Sequence, residues 1–499
     1  MIGLNKIYLV GASGMGMAPL ALYLHGAGVS VEAYDDNFKE PIRSILEDNG
    51  IRVLSEPNPL SKPDCVVRSS AVGEESDLLN SFVKEGIPVY RRGDFLANFT
   101  RGKKIIAIVG SHGKTSTAGM LVWALRKKGF CFSHLIGGLF LDNKINSGKF
   151  ENSEWIILEI DESDGTIDSF TPEITVALNC EWDHVDLYNS KDSINEVFRS
   201  LFNRTKEVIV TPNKGDLYDS AKLESGKKHY FFKCKNKPEH YKSNNISAVR
   251  VTGDVLGFKI EESDLDDFPG LARRENVLYQ SETRIVVEDY AHHPTEISAF
   301  LGRRRNILPK HIMKVVFQPH RFSRTEALAK EFAEELSHAD DLYFLQTYSA
   351  FEKYNPNGSV ESLIGYLPPR LRNRASVYED FRTLCEALNS NSKGSFNDQV
   401  LFVGAGDLEQ WAHAFASWEI ADFNKLVALG NFLSSKLSNK TILREYEPLA
   451  NKTTIGVGGC ARWYAEPANT GDLKSLVEGC HIFGVQRAMI GARVKFNYS

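Results

Sequence analysis

Between Ile105 and Leu121 the chain reads "IIAIVGSHGKTSTAGML": an apolar run, a glycine-bounded loop, then a helical pattern opening on Lys114-Thr115. This stretch constrains the fold more than any other. A buried strand that turns sharply into a helix belongs to a parallel sheet, because the helix must carry the chain back before the next strand can pair. A second stretch of the same kind, "KIYLVGASGMGMAPL", stands near the N-terminus, followed by "VSVEAYD", "IRSILEDNGIRVL", "DCVVRSS" and "GIPVYRRGDFL". Strand–helix alternation returns near Ile285 with "RIVVEDYAHHPTEISAFLG", "IMKVVFQPHRFSRTEALAKEFAEEL", "DLYFLQ" and "QVLFVGAGDLEQW". A chain of 499 residues exceeds one hydrophobic core and predicts about three domains. The expected class is α/β, with units over 1–102, 103–278 and 279–422 and a separate segment over 423–499. Within the second unit the periodicity weakens, and "KCKNKPEHYKSNNISAVRVTGDVLGFKI" reads as short strands and polar turns.

Charge and composition narrow the partners. A net charge of −5 offers no electrostatic case for nucleic acid or an anionic membrane. The basic run Arg303-Arg304-Arg305 reads as a solvated helix face. No apolar run approaches the roughly 20 residues a membrane helix needs, and the N-terminus lacks the pattern of a secretory leader. The 7 cysteines are scattered without a CxxC pair, which suits reduced thiols and argues against a zinc cluster. A cytoplasmic protein is expected; its oligomeric state is left open.

Two glycine loops carry anion chemistry. In "VGASGMGMAPL", Gly11, Gly14 and Gly16 would let the backbone approach a diphosphate at a helix N-terminus, and Asp35 ends the next strand where a ribose-binding acid would stand. The spacing is GxxGxG rather than GxGxxG, which weakens a nicotinamide reading and leaves a plain tight turn as the alternative. The second loop comprises Gly110, Ser111, His112, Gly113, Lys114, Thr115 and Ser116. Its N–H groups would cradle ATP phosphates, Lys114 would neutralise the β/γ oxygens, and the Thr115 hydroxyl would ligate Mg²⁺.

Acids and histidines follow. "LEIDESD" sets Glu159, Asp161, Glu162 and Asp164 at a strand end, where mutual repulsion calls for cations; a solvated acidic turn is the plainer alternative. His184, flanked by Asp183 and Asp186, reads either as a structural histidine or as a metal ligand. "VVEDYAHHPTEI" places Asp289, Tyr290, His292 and His293 at a strand-to-helix junction, and "VVFQPHRFSRT" repeats the arrangement with His320, Arg321 and Arg324. Strand ends bearing His and Arg suit a carboxylate or phosphate ligand, against the blander view of helix capping and surface charge.

In their order, "GASGMGMAPLA", "VVRSSAV", "GIPVYRRGDFL", "VGSHGKTSTAGML", "EIDESD", "LNCEWDHVDLY", "DYAHHPTEI", "FQPHRFSRT" and "GAGDL" resemble the Mur ligases over roughly residues 5 to 415. The resemblance implies a Rossmann-like domain for a UDP-sugar, a central ATPase domain and a Rossmann-like domain for an amino acid. It implies that ATP phosphorylates the lactyl carboxylate of UDP-N-acetylmuramate and that the amine of L-alanine attacks the acyl phosphate. Carried over by position, Lys114 holds phosphates, Thr115 and Glu159 serve a first Mg²⁺, and His184 serves a second. Asp289 joins the nucleotide shell, with Tyr290 and His292 beside the sugar nucleotide or alanine. His320, Arg321 and Arg324 meet the alanine carboxylate and the reacting groups. Gly14, Gly16, Asp35, Ser69, Ser70 and Arg91 face the UDP-sugar, and Arg273 and Arg274 the phosphates.

Two departures qualify this. The family's H-N-x-x-N-A stretch, which helps hold the nucleotide, is not found at its place, and "FKIEESDLDDFPGLARREN" predicts several dozen missing residues with part of the ATP site and its helices. An inactive UDP-sugar-binding scaffold is therefore a second reading, and a ligase that adds a whole peptide a third. The tail "YEPLANKTTIGVGGCARWYAEPANTGDLKSLV" is similar to the opening of the UDP-N-acetylenolpyruvoylglucosamine reductases, but "AMIGARVKFNYS" ends it before any flavin loop. A fusion with an incomplete second part is expected, without reductase activity and with apolar surface exposed.

Overall fold

The computed structural model describes residues 4–38, 40–73, 76–142, 145–162, 165–182, 188, 190–235, 237–281, 283–390, 397–420, 423–448, 460–483, 485 and 487. Three successive sheets account for its α/β character. The first orders β3-β2-β1-β4-β5, with β1 Lys6–Val10, β2 Ser30–Tyr34, β3 Arg52–Leu54, β4 Cys65–Arg68 and β5 Val89–Arg91, all parallel. The second orders β12-β11-β10-β6-β9-β7-β8. Its strands are β6 Lys104–Val109, β7 Ser133–Leu135, β8 Gly148–Lys149, β9 Trp155–Glu159, β10 Ile174–Ala177, β11 Val208–Pro212 and β12 Lys228–Phe232. The third orders β13-β14-β18-β15-β16-β17, from β13 Asn276–Gln280, β14 Arg284–Asp289, β15 Ile312–Phe317, β16 Asp341–Phe344, β17 Ser376–Val377 and β18 Asp398–Val403. Only the edge pairs β7–β8 and β13–β14 run antiparallel in these sheets, among the described residues.

Sequence explains the layering. The central strands are continuous apolar runs, as strands covered on both faces must be: Ile106 to Val109 of β6 and Val400 to Val403 of β18 are buried. The first two domains share one apolar core, which runs from Ile7 and Leu20 through Ile105 and Leu158 to Phe198 and Ile209. The third domain has its own clusters, around Val287, Phe317 and Phe332 on one face of its sheet and Val316, Phe402 and Phe415 on the other.

Two expectations are overturned here. "YKSNNISAV" forms no strand; Tyr241–Val255 is a 15-residue helix packed on the helix Lys114–Lys127. Asn244, Ala248 and Thr252 recur at four-residue spacing on its buried face, a helical period hidden among β-branched residues that favour strands alone. This helix ends just before "FKIEESDLDDFPGLARREN", the stretch where the missing residues were expected. Nor is Arg303-Arg304-Arg305 a solvated face: Arg304 is buried, Arg303 binds Glu275 at 2.7 Å, and Arg305 binds Asp340 at 2.9 Å.

Beyond residue 423 the described chain forms a helix Phe423–Lys436, an antiparallel pair β19 Ile442–Pro448 and β20 Cys460–Glu466, and a helix Thr470–Ile482. These elements bury Leu429 and Leu433 against Phe432, Trp463, Leu476 and Phe483, so the tail covers part of its own apolar surface.

The shared core of the first two domains depends on a close approach at Gly148, where a Cβ would run into the carbonyl of Pro19 on the helix Met17–Gly26. Gly148→Ala is expected to destabilise the protein by about 1–3 kcal/mol in chemical denaturation. Gly365→Ala, where a Cβ meets open space, should show no loss.

Candidate active site

The loop after β6 takes its shape from two glycines with positive φ, Gly110 at 138° and Gly113 at 80°. At Gly113 a Cβ would also meet the Asn245 amide at 2.8 Å, so a side chain is excluded twice. No side chain caps the helix Lys114–Lys127, which leaves its first N–H groups and the positive end of its dipole to an anion. The loop is pinned to the end of β10: Asn179 accepts from the His112 N–H at 2.8 Å and donates to its carbonyl at 2.9 Å.

Lys114 Nζ donates to the Gly110 carbonyl at 2.7 Å, lies 3.0 Å from Glu162 and 3.6 Å from Asp161. Burial works against its charge, but the Glu162, Asp161 and Glu159 carboxylates outweigh it and hold the ammonium above its ordinary value. The Thr115 hydroxyl donates to Glu159 Oε1 at 2.7 Å, while Gly137 N–H donates to Glu159 Oε2 at 2.7 Å. The acids thus divide: Glu162 faces the lysine, and Glu159 faces the threonine. A hydroxyl and a carboxylate side by side are hard oxygen donors that suit Mg²⁺. His184, the second expected metal ligand, lies outside the described residues, as do Asp164, Asp183 and Asp186.

The loop touches the third domain through His112. Its Nδ1 lies 3.4 Å from Glu296 Oε1, its Nε2 lies 3.5 Å from Glu181 Oε2, and its ring packs on His293 at 4.6 Å. Glu181, from the loop after β10, accepts hydrogen bonds from the Tyr241 and Thr295 hydroxyls. Burial opposes a charged imidazole, but Glu296 and Glu181 prevail and push His112 up to about 10. Burial would raise Glu181, yet the partnership with His112 and the two hydroxyls brings it down to about 2.

A cavity of about 590 Å³ opens beside the loop, within the usual size of small-molecule clefts. Gly113, Ser116, Asn245, Arg274, Asn276 and Asp289 line it. Burial raises the Asp289 carboxyl to about 6, although it accepts from the Glu275 and Ala291 N–H groups at 2.7 and 2.8 Å. Arg273 and Arg274 both lie over the Tyr290 ring, at 4.6 and 4.9 Å, but they part there. Arg274 faces the cavity, whereas Arg273 donates to the Gly404 and Gly406 carbonyls at 3.1 and 3.0 Å.

The His292 and His320 rings lie 5.7 Å apart, and Tyr348 stacks on His320 at 5.5 Å and 14°. Burial and the positive charges of His292, Arg324 and Arg321 depress His320 to about 2, so it is a neutral hydrogen-bonding group at ordinary pH. Arg324 is buried with Nη1 3.4 Å from His320 Nδ1, and Arg321 holds a strained φ of 72° at the adjoining turn.

In the first domain, Gly11 has φ 77° and approaches Ser69 too closely for a Cβ. Asp35 accepts from the Ser13 N–H at 3.0 Å, and Gly14 and Gly16 complete the loop. Ser70 is exposed, and Arg91 pairs with Asp94 at 2.7 Å; its neighbour Arg92 is the guanidinium that lies against Gly16. Sequence reading missed Arg92, Glu181, Asn245, Glu296 and Tyr348. Glu296 had a local signal, its place four residues after His292 at a helix start, and Asn245 had one in the Asn244-Asn245 pair of "YKSNNISAV", which the strand reading of that segment set aside.

Comparison with known proteins agrees with this layout. The Mur ligase family, catalytic domain, matches residues 6–104; the Mur ligase middle domain matches 108–278; the Mur ligase, glutamate ligase domain, matches 273–406. The chain belongs to the Mur ligase family. It is similar to the UDP-N-acetylmuramate–L-alanine ligase of Syntrophomonas wolfei, at 30% identity over 81% of this chain and 94% of that one. The enzyme of the same name from Carboxydothermus hydrogenoformans is 31% identical over 81% of this chain and 94% of its own. The crystal structure of the UDP-N-acetylmuramate–alanine ligase of Thermotoga maritima shares the fold, with a TM-score of 0.67, 23% identity and coverage of 83% of this chain and 99% of that one.

The shifts at His112 and Glu181 set a pH window for this Mur ligase. A histidine raised to about 10 contributes stability that is complete below its unfolded value of ~6.5 and is lost as pH climbs towards 10. A glutamate lowered to about 2 contributes stability that is complete above ~4.3 and is lost as pH falls towards 2. Apparent Tm should therefore decline from pH ~6.5 to ~9.5, and His112→Asn should flatten that decline in thermal-shift scans.

Proposed function

We propose that the protein is the ATP-dependent ligase that joins L-alanine to the lactyl carboxylate of UDP-N-acetylmuramate, a step of peptidoglycan synthesis. The observation that carries this reading is the loop with Lys114 and the Thr115–Glu159 pair, set against a domain whose strand ends present His292, His320 and Arg324. A phosphate grip faces a domain suited to an amine-bearing carboxylate ligand.

The chemistry follows from charge. A carboxylate repels an amine's lone pair and has no leaving group; phosphorylation removes the first obstacle and supplies the second. The Gly110–Ser116 backbone and Lys114 would hold the ATP phosphates, and the ammonium would spread the charge of the transferring phosphoryl. Thr115 and Glu159 would hold Mg²⁺, which supplies further charge neutralisation at the phosphates, and His184 is proposed for a second ion. The cavity walled by Asn245, Arg274 and Asp289 suits the nucleoside. Gly14, Gly16, Asp35, Ser69, Ser70 and Arg91, joined by Arg92, would hold the UDP-sugar. Arg321 and Arg324 would take the alanine carboxylate, with neutral His320, Tyr290 and His292 orienting the amine. The residues from 423 onward are not needed for any of these contacts, and no reductase activity is proposed for them. No described helix is long and apolar enough to cross a membrane, and the substrates are water-soluble.

Phosphate release by the purified protein should require ATP, Mg²⁺, UDP-N-acetylmuramate and L-alanine together. Lys114→Ala should lower kcat by at least ~100-fold, as loss of a transition-state charge partner does, while UDP-N-acetylmuramate still binds. Sugar-nucleotide binding without any turnover would instead establish a scaffold. Release with an alanyl peptide in place of alanine would establish a peptide-adding enzyme.

A further inference from the structure

One side chain of the phosphate loop belongs to two domains at once. The main chain of His112 is held by the central domain, with both its N–H and its carbonyl paired to the Asn179 amide. Its ring is held by the third domain, through Glu296 on the helix Pro294–Ile307 and through the His293 ring. Glu181 closes the arrangement from the central side and is itself bound by the Thr295 hydroxyl of the third domain. Little water enters: the His112 and Glu296 side chains are 3% and 13% exposed. Glu296 is oriented by its own turn, where Oε2 accepts the His292 N–H at 3.0 Å and leaves Oε1 towards His112. A buried pair of this kind gains little over two apolar groups, yet loses much when one partner is removed. It therefore makes a poor general adhesive and a sensitive link. Lys114 stands two residues from His112, with only Gly113 between them.

We infer that Glu296, acting through His112, is a positioning residue for the phosphate loop, so that docking of the amino-acid domain sets the loop in its phosphate-holding shape. The inference rests on the ligase reading above and deepens it. An acyl phosphate formed without an amine at hand is open to water. Tying the loop to the third domain lets the phosphate grip form only where that domain closes the site against water. Glu181 serves as the fixed arm of the link, because Tyr241 anchors it to the central domain whatever the third domain does.

The test uses the full chain and the variants Glu296→Gln, His112→Asn and their combination. Each single change should lower kcat for phosphate release by at least ~10-fold, in line with the cost of misplacing a catalytic loop by a fraction of an ångström. Each should also weaken binding of Mg²⁺-ADP by itself at least ~5-fold while UDP-N-acetylmuramate affinity stays unchanged, because the loop and the sugar-nucleotide site are separate. The double variant should fall no further than the worse single, as residues acting as one unit do. A pair that only glued the domains would raise KM for alanine and leave Mg²⁺-ADP binding intact, and that result overturns the inference. Penalties that multiply in the double variant, or single variants with wild-type kcat, overturn it as well. Should Glu296→Gln fail to fold, as shown by lost sugar-nucleotide binding, His112→Asn carries the same kcat and Mg²⁺-ADP tests. A wild-type chain that releases no phosphate with all components present refutes the ligase reading itself, and so is distinguishable from failure of the link.

Discussion

A lysine ammonium buried against carboxylates is the interaction on which the rest of the site depends. Lys114 sits at the start of a helix whose N-terminus is already positive, a position hostile to a cation. Glu162, fully buried, and Asp161 make the charge tolerable there, and Glu159 adds to the same field. The acids repel one another, and the Lys114 ammonium between them offsets that repulsion. The protein thus holds, with its own side chains, a charge arrangement that in the proposed reaction nucleotide phosphates and a divalent cation would enter by exchange. The loop glycines, the pin at Asn179 and the Thr115–Glu159 pair exist to keep that arrangement in register.

The two domain interfaces are made of different materials. The first and central domains share an apolar core without a seam, reinforced by the close approach at Gly148. The contact between the phosphate loop and the third domain is polar, built on His112, Glu181, Thr295 and Glu296. Apolar burial is non-directional and holds over a range of geometries, whereas buried ion pairs and hydrogen bonds reward one arrangement and penalise its neighbours. The first interface is suited to permanence. The second is suited to specifying when the site is assembled.

Much of this was legible along the chain because it is local. A strand, a glycine loop and a helix start are encoded within a dozen residues, which is why the places of both glycine loops, the acids after β9 and the His/Arg strand ends could be read directly. The segment 241–255 shows the limit: its β-branched residues favour a strand in isolation, and only packing on the helix Lys114–Lys127 makes the helical period the better solution. The arginines at 303–305 were misread for a related reason, since their partners Glu275 and Asp340 lie far off in the chain. Glu181 and Tyr348 were invisible as site residues, because each acquires its role from a neighbour in another element, His112 and His320; Asn245, beside Gly113, was set aside with the strand reading of its segment.

The sequence by itself determined the class of fold, the family and the chemical inventory: two glycine loops, a lysine with its acids, and paired histidines and arginines at strand ends. These follow from short-range stereochemistry, in which glycine, lysine and carboxylate at fixed offsets permit few alternatives. Only the tertiary structure decided which acid faces the lysine and which the threonine, which arginine of an adjacent pair reaches the cavity, and that one loop histidine is clasped by the next domain. Those choices turn on distances of a few ångströms between residues far apart in the chain, and they are made when the sheets pack, not when the strands form.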